Sequence, residues 1–180
     1  MKISVISFTE AGAALSEKIA EVRSDCMLYT KGKTVKIQIP FVEESIGVWA
    51  GRQMQERNAL VFIGACGIAV RAIAPSVKDK LCDSPVLVMD ELGMHVIPIL
   101  SGHVGGANEL AEELAAQIGA VPVITTATDL EQKFAVDLFA KRNHLAIRNR
   151  EGIAAVSSKV LTGDEILLSV ETGHWNENAS

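Results

Sequence analysis

The chain has 180 residues, 48% of them hydrophobic and 22% charged, and a formal net charge of -5. That length suits one domain, or one domain with part of a second, and the apolar content supplies a core and excludes a disordered tail. Aromatic residues are only 4%, and no Lys/Arg cluster stands out among 17 basic and 22 acidic residues. Neither a stacking platform for single-stranded nucleic acid nor a polyanion-binding surface is expected.

The chain opens on a strand pattern, residues 2–8, followed by a helix over 10–22 with Thr9 as its N-cap and Leu15, Ile19 and Val22 on one face. Weaker strands are predicted at 26–30 and 34–39, and a helix at about 43–57. The apolar strand 59–63 reads as buried on both faces. A glycine turn, Gly64 to Gly67, opens a short helix that must end near Pro75. Residues 86–90 and 94–100 form a hairpin around Glu91-Leu92-Gly93, with Gly93 suited to a positive φ. The clearest helix is 105–118, its apolar stripe running through Leu110, Ala111, Leu114 and Ile118 and its stop at Gly119. Strand 121–124, a helix at about 131–143, a helix at 150–161 and a strand at 164–170 complete the pattern. The alternation predicts an α/β fold: a mostly parallel open sheet with helices on both faces, Rossmann-like, with one hairpin.

Cys26, Cys66 and Cys82 are odd in number and lack Cys-x-x-Cys spacing, which argues against a disulfide framework or structural zinc and fits a reducing compartment. The apolar run Ile3 to Phe8 is too short for a signal-peptide core. The run Ala59 to Val70 falls short of the roughly 18 residues that span a bilayer. A cytoplasmic protein without membrane contact is expected.

Three junctions concentrate glycine and hydroxyl residues: 64–67 (GACG), 101–108 (SGHVGGAN) and 125–129 (TTATD). In a parallel sheet such junctions gather at the carboxyl edge, where ligands bind, and helix N-termini there favour anions. All three are therefore expected to line one crevice for a phosphate- or carboxylate-bearing small molecule, with Gly105 and Gly106 permitting close backbone approach. Plainer readings stand beside this one. Turns alone account for such glycines, Thr125, Thr126 and Thr128 serve as helix caps, and Cys66 fits a small core position. Asp90 and Glu91 suit a hairpin, and Lys78, Asp79 and Lys80 a solvated loop.

Taken together, FIGACGIAVRAIAPSVKDK (62–80), VLVMDELGMHVIPILSGHVGGANELA (86–111) and AVPVITTATD (120–129) resemble, in order and spacing, the cobalt-precorrin-5A hydrolase family of anaerobic cobalamin (vitamin B12) biosynthesis. The resemblance implies a hydrolase acting on a cobalt-bearing tetrapyrrole. It opens a δ-lactone and releases acetaldehyde to give cobalt-precorrin-5B. Residues 1–130 would form the family's N-terminal α/β domain and 131–180 the start of its middle region; the family's further C-terminal domain is absent from this sequence and is expected as a partner of the chain. No cofactor or protein metal site is expected, because the cobalt arrives with the substrate. A homodimer is compatible with the sequence.

Lactone opening needs a general base and donors for the developing oxyanion. His103 is the candidate base, with Asp79 and Glu91 as the next choices. Candidate substrate-binding residues are Gly64, Gly67, Arg71, Lys80, Ser101, Gly105, Gly106, Asn108, Thr125, Thr126 and Asp129. Two other functions fit the residues: a non-catalytic tetrapyrrole-binding module, and a sugar-phosphate or nucleotide-binding α/β enzyme.

Overall fold

The computed structural model describes residues 1–79, 82–126 and 133–172. They divide into two compact units, Met1–Val123 and Ile124–Ser180. The first is a six-stranded open sheet. Its elements in chain order are β1 (Ile3–Ser7), α1 (Glu10–Val22), β2 (Cys26–Thr30), α2 (Ile46–Gln55), β3 (Ala59–Ile63), α3 (Cys66–Ile73), β4 (Val86–Met89), β5 (His95–Leu100), α4 (Ala107–Ile118) and β6 (Val121–Pro122). Spatial order is β2-β1-β3-β4-β5-β6. The first four strands run parallel, whereas β5 pairs antiparallel with β4, and β6 runs with β5.

Every residue of β1, β3 and β4 is buried, including Ser4 and Ser7 of β1, as strands in a sheet covered on both faces should be. Side chains alternate between the faces. Ile6, Leu60, Phe62, Val86 and Val88 meet Trp49 and Ala50 of α2 and Ala69, Ala72 and Ile73 of α3. On the other face Gly12 of α1 lies so close to Ile63 and Ser7 that a Cβ there would sit 3.1 Å from Ile63 Cγ2. Trp49 is fully buried, edge-on to Tyr29 (5.4 Å between centroids) and Phe62 (5.9 Å).

Helix α1 starts where its cap dictates, Thr9 Oγ1 accepting from Gly12 N at 3.1 Å, and Ser45 caps α2 through Val48 N. The β4–β5 hairpin forms with Gly93 at φ 68, and Gly119 stops α4 at φ 76. Two predicted strands are absent. Residues 34–39 form no ladder: Lys36 N donates to Glu10 Oε2, and only the single bridge Thr30–Phe41 touches the β2 edge. Residues 164–170 carry no strand pairing either. In the second unit α5 (Val136–Arg142) and α6 (Glu151–Thr162) form, and Lys133 Nζ donates to the Val160 and Leu161 carbonyls at the end of α6. Among the described residues no helix is long and apolar enough to cross a membrane.

Candidate functional site

The reversal at β5 decides where the loops lie. Strand β3 delivers Gly64–Gly67 to the edge where the parallel strands end. Because β5 begins beside Met89 and finishes beside Val86, the loop 101–106 emerges at the opposite edge, with the start of β4. The expectation that 64–67 and 101–108 line one crevice is therefore overturned. The two loops stand apart by roughly a strand's length, about 13–17 Å. Thr125 and Thr126 belong to the second unit, and Lys80, Thr128 and Asp129 lie outside the described residues.

One edge gathers Gly64, Gly67, Arg71, Asp90 and Glu91 around the switch point between β1 and β3. A Cβ on Gly64 would sit 3.1 Å from the Phe8 ring, so this glycine has a packing role. Arg71 reaches back to the Gly67 carbonyl at 3.0 Å. Glu91 Oε2 accepts from Thr9 Oγ1 at 2.7 Å, joining the hairpin to the cap of α1; the sequence alone offered no signal for that pair. Asp90 accepts from the backbone N–H groups of Leu92, Met94 and His95. Burial opposes its ionisation, but these three donors outweigh it and hold the carboxyl below the usual carboxylate range. A depressed folded pKa contributes stability that is present above the unfolded value of about 3.9 and lost as pH falls through the folded pKa. Asp90→Asn should flatten that acid limb in denaturant melts taken between about pH 2 and pH 7. An unchanged limb would remove Asp90 from the account.

The other edge gathers Asp79, Ser101, His103, Gly105, Gly106 and Asn108. The loop is closed by its own backbone: the N–H groups of Gly106, Ala107 and Asn108 donate to the carbonyls of His103, Ser101 and Gly102. Those three donors are consequently spent within the loop. Gly106 sits at φ 87, and a Cβ on Gly105 would overlap the Cβ and carbonyl of Ser101, so the loop itself demands both glycines. Ser101 adopts φ 58 and buries its hydroxyl with no hydrogen-bond partner among the described residues. His103 is half-buried. Asp83 accepts from the N–H groups of Lys78 and Asp79, which fixes the loop carrying Asp79.

Beside this loop lies an open cavity of about 730 Å³ whose lining includes Lys2, Arg57, Asn58, Asp83, Val104 and Gly105. The volume falls within the roughly 300–1,000 Å³ of small-molecule sites. Arg57, in the left-handed region at φ 58, and Lys2 bring cationic groups to it. No motif marked either residue, because each sits at an ordinary strand entry. Among the described residues no cluster of His, Cys, Asp or Glu could hold a metal ion. Cys26, Cys66 and Cys82 are free, and burial pushes the Cys26 thiol up to about 11.

Comparison with known proteins places this architecture. Residues 49–129 match the family model described as Cobalamin synthesis G N-terminal. The chain is 43% identical over 96% of its length to a cobalt-precorrin-5A hydrolase of Salmonella typhimurium, and 35% identical over 94% to one of Priestia megaterium. Over nearly its whole length the chain is similar to the cobalt-precorrin-5A hydrolases. It spans about half the length of these two hydrolases, 48% and 47% respectively. A crystal structure described as that of a cobalamin biosynthesis protein G homolog from Sulfolobus solfataricus superposes with a TM-score of 0.54 at 26% identity, over 98% of this chain and 52% of that one. The matched region of the family model takes in the loops 64–67 and 101–106, and thus spans both edges of the sheet.

Proposed function

We propose that the chain acts in the hydrolysis of cobalt-precorrin-5A, opening the δ-lactone and releasing acetaldehyde to leave cobalt-precorrin-5B. The observation that carries this reading is the 43% identity, over nearly the whole chain, to a protein named for that activity. Within the reading, the substrate meets the edge that carries the 101–106 loop. His103 takes the proton of the attacking water, Asp79 stands on the same side, and Lys2 and Arg57 at the cavity pair with peripheral carboxylates of the macrocycle. Glu91, a strand's length away, supports the hairpin instead. The cobalt enters with the substrate, and the setting is the cytoplasm.

Expulsion of acetaldehyde resembles a retro-aldol step. An oxygen is deprotonated as a carbon–carbon bond breaks, and the conjugated macrocycle accepts the electron pair. The protein's part is to position and deprotonate. A macrocycle rimmed with carboxylates exceeds what one loop can cover, and excluding bulk water favours the chemistry. The family's further C-terminal domain is the natural cover. Single-turnover acetaldehyde release should thus be slow with this chain alone and rise when that domain is added in trans. Equal rates would place the complete site here. Tetrapyrrole binding with no acetaldehyde under either condition would make the chain a binding module, and preference for phosphorylated ligands would reject the reading.

A further inference from the structure

The segment 164–170 (DEILLSV) has the composition of a strand and no strand partner among the described residues. Ile166, Leu168 and Val170 alternate with Glu165, Leu167 and Ser169, which sets one apolar face against a more polar one. On the apolar face Leu168 is 47% and Val170 42% exposed while Ile166 is half-buried, so that face is open to water over its second half. Helix α6 ends at Gly163, φ 83, and the N–H of Asp164 still closes on the Lys159 carbonyl. Beyond that point, no backbone hydrogen bond involves residues 165–170 among the described residues. An apolar, alternating run whose N–H and C=O groups make no backbone bond among the described residues is a template for another strand, and proteins seldom leave one uncovered.

We infer that residues 165–170 are a strand that joins a sheet edge in the polypeptide making up the other half of the family's length. Two observations select that occupant. The chain spans only 47% and 48% of two curated relatives, so those proteins carry a comparable length of polypeptide that this chain does not match. The alternating face is apolar at three positions, two of them exposed, and is flanked by Asp164 and Glu165, which suits a sheet edge with an apolar inner face and disfavours nucleic acid. Backbone ladder bonds would give the affinity, and pockets for Ile166, Leu168 and Val170 the register. This inference rests on similarity to those hydrolases and on the open strand, not on the reaction proposed above.

The test is hydrogen–deuterium exchange on the full chain, alone and co-produced with the portion of the Salmonella typhimurium relative that it does not match. Alone, amides 165–170 should exchange without protection. In the complex they should slow by at least about tenfold, equivalent to about 1.4 kcal/mol. Leu168→Pro removes one ladder donor and, since residue 168 makes no bond in the free chain, should leave its circular dichroism unchanged while weakening association by about tenfold. Failure to form a complex, a complex with 165–170 unprotected, or wild-type association by Leu168→Pro would each overturn the inference. So would protection that grows with concentration in the chain alone, which would assign the strand to a second copy.

Discussion

On the reading proposed above, replacing His103 by alanine should lower single-turnover acetaldehyde release by about 10²–10⁴-fold, the usual cost of removing a general base. Tetrapyrrole binding and thermal stability should hardly move. The loop that presents His103 is closed by backbone bonds from Gly106, Ala107 and Asn108, and alanine at 103 preserves all three. The informative companion is Glu91→Gln, at the opposite sheet edge, where the side chain accepts from Thr9. Glutamine retains an acceptor there, so turnover should persist. Wild-type turnover by His103→Ala would remove the base from this loop, with Asp79 the next residue to test. Loss of turnover only in Glu91→Gln would move the chemistry to the other edge.

The largest effect on folding is expected at Trp49. Its indole is fully buried between Tyr29 and Phe62 and under α3, so Trp49→Ala removes packing and leaves a cavity, at a cost of about 3–5 kcal/mol. For a domain of marginal stability that is a large fraction of the total. Trp49→Phe should be far milder. The buried Nε1 has no hydrogen-bond partner among the described residues, and an unmet donor already costs about 1–3 kcal/mol; phenylalanine loses volume but relieves that burden. Urea melts of both variants decide the matter. Equal destabilisation would show that neither the retained ring volume nor relief of the unmet donor matters, and would overturn this account.

Much of the first unit was legible because local chemistry and tertiary fate agree there. Thr9 marks the start of α1, Gly119 the end of α4, and the unbroken apolar run 59–63 a strand covered on both sides. The failures came where a pattern needs a neighbour. Val35, Ile37 and Ile39 alternate as a strand should, yet the β2 edge offers only the bridge at Phe41. The strand signal at 164–170 is equally sound and equally unpaired. The candidate site was half legible. The residues on its loops were visible, but grouping all of them at one edge treated every strand as parallel. The turn at Glu91-Leu92-Gly93 already required otherwise, because a hairpin sends the next loop back across the sheet. The folding reasons for Gly105 and Gly106 depend on their contacts and conformation in the folded loop, which letters alone do not show.

Inverting a single strand also has a consequence for how this chain tolerates change. Substitutions in 64–67 and in 101–106 fall about a strand's length apart, beyond the roughly 7–10 Å within which mutational effects couple. Their free-energy effects should sum. One rim of the sheet can then drift, or be redesigned for a new ligand or binding partner, while the other keeps its chemistry, so a small scaffold offers two independently adjustable surfaces.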